Sequence, residues 1–152
     1  MNVSQKCELA LKNAIIAAGI SQDDCYYNLF QESDNANNPD HEVIQPQILI
    51  QAAPDVPDGM ETDGVSNLRR VSVLVRVMTL RVDDKTHETL AANYEKVRTA
   101  IDGANASLTT WSSSYLPSGW SAQAVMVEDG AAYFDDEVQA IELTVGMEVC
   151  IA

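Results

Sequence analysis

Basic side chains are scarce in this sequence: 9 Lys and Arg stand against 23 Asp and Glu in 152 residues, a formal charge of −14. A surface so strongly acidic repels nucleic acid and anionic lipid, which excludes a conventional phosphate-binding face. Cysteine is nearly absent. Cys7, Cys25 and Cys150 are odd in number, widely spaced and form no C-x-x-C, so neither a disulfide framework nor a zinc knuckle is written here. They read as reduced thiols. Seven glycines and five prolines are too few for a collagenous or low-complexity chain, and 46% hydrophobic residues argue against disorder. No run of about 20 apolar residues exists to span a membrane. Met1–Lys6 lacks a charged segment leading into an apolar one, so no secretory signal is expected. The expectation is a protein that acts where it is made or leaves by lysis.

Catalytic signatures are missing as well. The only histidines are His41, in a polar loop between Asp40 and Glu42, and His87, at the start of a helical pattern. Neither has a second histidine at metal-ligand spacing. There is no G-x-S-x-G, no G-x-x-x-x-G-K-[ST] and no G-x-G-x-x-G, hence no nucleophile elbow and no phosphate cradle. Asp83-Asp84 reads as a helix N-terminus and Asp135-Asp136-Glu137 as a solvated turn before a strand, although carboxylates of this kind also suit hard divalent cations. The expectation is a protein that is not an enzyme and holds neither metal nor cofactor.

What the sequence does contain is clear hydrophobic periodicity. Cys7, Leu11, Ala14, Ile15 and Ala18 form one helical stripe, with Ser4 as a candidate cap and Gly19 as the left-handed stop. The aromatic run 25–30 and the stretch 43–52 read as strands, and Pro46 pushes the latter to an edge or a bulge. The acidic segment 53–70 is the longest loop and ends in Arg69-Arg70. Then Val71, Val73, Val75 and Val77 alternate with Leu74, Met78 and Leu80. This predicts a strand over 71–82, apolar on both faces and therefore central or in contact with another subunit. Asp83, Asp84 and Thr86 open a helix carrying Leu90, Tyr94, Val97 and Ile101, which Gly103 closes. Residues 107–111 and 122–127 read as strands, 112–120 as a turn-rich link, and 128–130 as a turn. Alternation over 139–151 predicts a half-buried strand with a wet outer face. The whole is a single α+β domain, a mixed or antiparallel sheet with two helices in the order α-β-β-β-α-β-β-β.

The unusual features point to assembly. Arg, Trp and Tyr dominate binding hot spots, and Arg69, Arg70, Arg76, Trp111, Tyr115 and Trp120 are the candidate interface residues. For Trp111 and Trp120 the competing reading is ordinary core or rim packing. For Arg69-Arg70 it is a solvated strand start.

The succession Arg70-Val-Ser-Val-Leu-Val-Arg-Val-Met-Thr-Leu-Arg-Val-Asp-Asp84, then Thr86-His87, then the helix with Leu90, Tyr94, Val97, Arg98 and Ile101, resembles phage tail terminator (tail-completion) proteins. The N-terminal helix at 9–18, the long loop and the closing alternating strand at 138–151 are similar too. The resemblance implies a homo-hexameric ring in the virion, assembled in the host cytoplasm, that caps the tail tube protein and meets the head–tail connector protein. DNA would only pass through its acidic channel, and no membrane is involved. Arg69, Arg70 and Arg76 would then pair with acids of the adjacent subunit. Two other readings stay open: another neck or tail component such as a connector or stopper, and a non-virion acidic binding or DNA-mimicking protein.

Overall fold

A computed structural model describes residues 2–20, 25–27, 47–54, 56–57 and 67–151. Helix α1 (Val3–Ala17) is followed by the short strands β1 (Cys25–Tyr27), β2 (Gln47–Ala52) and β3 (Val56–Pro57). The long strand β4 (Leu68–Leu80) leads to α2 (Glu88–Ala106) and α3 (Leu108–Tyr115), then β5 (Ser121–Phe134) and β6 (Val138–Cys150) close the chain. The α+β class is as the periodicity predicts. The six strands form one sheet in the order β1-β2-β4-β6-β5, with β3 continuing along the β2 side of β4. Among the described residues only β1 and β2 pair in parallel; the other ladders are antiparallel.

The predicted central strand is central. β4 pairs with β2 on one side and, without a shift, from Leu68↔Cys150 to Leu80↔Val138 with β6 on the other. Its odd residues Val71, Val73, Val75 and Val77 are fully buried, while the even ones are half-exposed. Cys7, Leu11 and Ile15 of α1, Leu90, Val97 and Ile101 of α2, and Trp111 of α3 join those valines in one core with Val145, Met147 and Val149 of β6. All three helices therefore pack on the same face of the sheet. At about 25 cal/mol per Å² of apolar area removed from water, this face carries most of the hydrophobic stabilisation.

Several local expectations are corrected. Residues 107–111 are not a strand. Ser107 accepts from the Thr110 amide as an N-cap, and α3 runs from Leu108 through the serines to Tyr115. The serines tolerate the helix by returning their hydroxyls to carbonyls one turn back: Ser112 to Leu108, Ser113 to Thr109 and Ser114 to Thr110. There are thus three helices among the described residues, not two. Gly103 lies inside α2, which continues to Ala106. Residues 128–130 are strand, not turn. β5 absorbs them with irregularities at Ala122/Ala124 and Val127/Asp129 and continues to Phe134, and the reversal comes only at Asp135. Val82 has left the strand and lies exposed. The cap of α1 is Asn2, whose side chain takes the Gln5 amide while the Gln5 side chain returns to the Asn2 amide. Ser4 is instead buried inside the helix. Gly19 does adopt the left-handed conformation, at φ 113°. Pro46, His41, residues 28–30 and most of the 53–70 stretch lie outside the described residues.

One polar cluster fixes α2 to the sheet. His87 occupies the N-cap with φ 62° and offers no side-chain cap. The capping is done by buried Asp84, whose two carboxylate oxygens accept the Thr89 and Leu90 amides at 3.0 and 2.9 Å. Thr79 also donates to Asp84, and the fully buried Gln139 amide reaches Thr79, the Asp84 carbonyl and the Asp84 carboxylate. Burial alone would raise the Asp84 pKa. The hydrogen bonds from Leu90, Thr89, Thr79 and Gln139 outweigh it and hold the carboxyl below its ordinary 3.8.

Two predictions follow from this packing. Leu11→Ala, in the sealed core, is expected to cost roughly 2–5 kcal/mol, and Leu74→Ala, on the opposite sheet face, less than about 1.5 kcal/mol, both read from urea unfolding. Equal costs would contradict a one-sided core. Asp84→Ala strands the Leu90 amide, which is buried, and the Thr89 amide, which is partly so, at about 1–3 kcal/mol per buried group, so a loss of roughly 2–4 kcal/mol is expected. Since the folded pKa is depressed, the stabilisation from ionised Asp84 is fully present above 3.8 and is lost as pH falls through the lower folded value. The variant should lack that part of the acid unfolding slope, measured by unfolding over a pH series.

Candidate assembly surfaces

The second face of the sheet is built from the residues that alternate with the core. Register places four rows across it: Gln47–Met78–Ala140–Tyr133, Leu49–Arg76–Glu142–Ala131, Gln51–Leu74–Thr144–Asp129, and Ser72–Gly146–Met126. Among the described residues no helix covers these rows. Leu49, Ser72, Leu74, Arg76, Met78, Glu142 and Thr144 are half-buried, and Met126 is 49% exposed. The face is therefore mixed, apolar at Leu49, Leu74, Met78 and Met126, with an ion pair at its centre.

That ion pair consumes one of the predicted interface cations. Arg76 and Glu142 are direct cross-strand partners, with Nε donating to Oε1 at 2.6 Å and Nη2 lying 2.5 Å from the same oxygen. The β4–β6 register puts an acid beside Arg76 within the chain. Arg69 and Arg70 begin β4 opposite Pro57 and Val56 of β3, Arg69 half-buried and Arg70 exposed. Arg70 also stands opposite Glu148.

The three aromatics gather at the other side of the molecule, on the helix layer. Trp111 is only 4% exposed, so its role is core packing and not a ready surface anchor, because α3 turns its ring toward α1 and α2. Its ring centroid lies 5.5 Å from that of Tyr115 in a tilted arrangement. Trp120 is half-buried, with the Lys6 ammonium 5.0 Å from its ring centroid, a cation–π contact that ties α1 to the turn after α3. Beside them runs a cavity of about 300 Å³ between the helices, lined by Ala14, Ala18, Gly103, Thr110 and other small residues. The structure thus does not bring the six candidates together. The arginines sit on the sheet and the aromatics under the helices.

Among the described residues no three His, Cys, Asp or Glu side chains converge. His87 makes an edge contact with Phe134, ring centroids 5.2 Å apart. Asp135 accepts the Val138 and Glu137 amides, which hold its carboxyl below the usual range, and so closes the β5–β6 turn. Among the described residues no helix is long and apolar enough to cross a membrane.

The chain matches no family model, and no curated protein matches it.

What sequence reasoning missed is the far half of β5. From Glu128 to Phe134 every residue is exposed, and Tyr133 and Phe134 are more than half so. The alternation of Ala131, Tyr133 and Ala132, Phe134 was the available signal, masked by the Glu128-Asp129-Gly130 triplet that resembles a turn.

Exchanging the charges of the central pair tests its role. Arg76→Glu alone is expected to destabilise, and Arg76→Glu combined with Glu142→Arg to recover most of the loss, with a coupling of about 1 kcal/mol in a double-mutant cycle. No recovery would mean that Arg76 acts on a group other than Glu142.

Proposed function

We propose that this protein is a structural subunit that works by assembling, and, following the resemblance carried by 70–101, that it is a tail terminator of a long-tailed phage. In this reading, copies close into a ring, hexameric as in that family, which caps the tail tube in the virion and presents a surface to the head–tail connector. The observation that supports it best is the one-sided sheet: three helices on one face, and a second face holding Leu49, Leu74, Met78 and Met126 around the Arg76–Glu142 pair. A face of that composition is suited to burial against another subunit or a neighbouring protein. The charge supports the same reading, since a ring of subunits at −14 each would give DNA a channel wall to which it does not adhere.

Light scattering over a concentration series, with negative-stain microscopy, is the test. Rings, or a monomer that becomes a ring on addition of isolated tail tubes, are the expected result. The double substitution Arg69→Glu, Arg70→Glu should impair ring formation while leaving the far-UV spectrum unchanged. Binding to isolated heads but not to tubes would assign the protein to the connector side of the neck. A monomer at every concentration, indifferent to tubes and heads, would overturn the assembly reading in favour of an acidic protein that occupies a basic site on another factor.

A further inference from the structure

We propose that the free edge of β5 between Asp129 and Phe134 accepts an extended, basic strand from a partner protein of different sequence. β5 ends the sheet. β6 pairs with one side of it, and among the described residues nothing pairs with the other. Its two irregularities lie before this run. From Asp129↔Thr144 to Phe134↔Gln139 the register advances without a shift, so six residues present a regular row of backbone groups. Sheet edges are ordinarily defended by lysine, proline, bulges or a covering helix. This run contains no Lys, Arg or Pro, and the helix layer no longer covers it, since every residue from Glu128 onward is exposed.

A row of unused backbone donors and acceptors recognises one thing well, another strand. Tyr133 and Phe134 give that strand an anchor on each sheet face, at 52% and 59% exposure. Charge then decides whose strand it is. Glu128 and Asp129 precede the run and Asp135, Asp136 and Glu137 follow it, all exposed. The nearest cation on the adjoining turn, Arg81, donates to the Asp135 carbonyl. Two copies of this chain joined antiparallel about Ala131–Ala132 would set Glu128 of each against Asp135 of the other, and like charges directly opposite are destabilising. The chain's own basic strand segment, Arg69-Arg70, is already held inside the sheet between β3 and β6. The complement is therefore foreign: a short apolar, β-prone stretch with Lys or Arg on both sides. This inference stands whether or not the protein forms rings.

The test is titration of the ¹⁵N-labelled full-length protein with the capped peptide Lys-Lys-Val-Thr-Val-Thr-Val-Lys-Lys. Its control keeps the four lysines and replaces the central valine and both threonines by proline, which cannot complete a ladder. The strand peptide should bind and slow amide exchange within 129–134. The proline peptide should bind at least about tenfold more weakly, and the Asp136→Lys, Glu137→Lys variant should weaken the strand peptide by about tenfold. Equal binding of both peptides would reduce the effect to charge and overturn the proposal. So would protection elsewhere, or no binding at all. Protection of the same amides that grows with protein concentration in the absence of peptide would give the edge to a second copy, and would overturn it equally.

Discussion

The continuous pairing of β4 with β6 is the constraint on which the rest of this molecule depends. Because the ladder runs from Leu68↔Cys150 to Leu80↔Val138 without a bulge, one parity of residues is turned inward along its whole length. Val71, Val73, Val75 and Val77 meet Met147, Val145, Leu143 and Ile141 on that side. A slip of one residue would send all of them to the other face. It would also separate Arg76 from Glu142, so the ion pair reports the same register that the core requires.

The helices take their places from this ladder. α2 begins where β4 ends because Thr79 and Gln139, cross-strand partners at the inward parity, present hydroxyl and amide groups to Asp84. A buried carboxylate is costly unless its hydrogen-bonding capacity is filled. Here it is filled by the first amides of the helix that it caps, so helix entry and sheet end are one structure. The three helices then exhaust the inward face, and the protein has no described element for the outward one. A domain built in this way has two kinds of surface on offer, a broad sheet face and a long edge, and they favour different partners.

The parts legible in the sequence were those governed by periodicity. The stripe of α1, the stripe of α2, the alternation in 71–80 and that in 139–151 each follow from a repeat of 3.6 or 2 residues that burial enforces. The α3 helix was not legible, because Leu108-Thr-Thr-Trp-Ser-Ser-Ser-Tyr115 has residues of poor helix propensity whose hydroxyls find carbonyl partners only once the turn exists. The reach of β5 to Phe134 was hidden for the opposite reason: Glu128-Asp129-Gly130 has turn composition, yet the β6 ladder overrides it. Among the interface candidates, residue type alone could not separate a surface anchor from a core ring. Trp111 lies in the core because α3 is a helix, and Arg76 is matched because Glu142 lies opposite, facts of register that no single segment contains.

The strand order also separates what forms locally from what must wait. β5 and β6 are joined by the brief turn at Asp135–Glu137, whereas β4 reaches β6 only across α2, α3 and β5. Closing that excursion costs chain entropy before any ladder bond repays it. Topologies dominated by such distant pairings fold more slowly than helical bundles of the same size. A β5–β6 hairpin that forms ahead of the β4 ladder has both of its edges unclaimed, and the run Gly130-Ala-Ala-Tyr-Phe134 is then open to wrong pairing. The five carboxylates around it repel one another between chains, so the acidity of this hairpin disfavours such mispairing at high protein concentration.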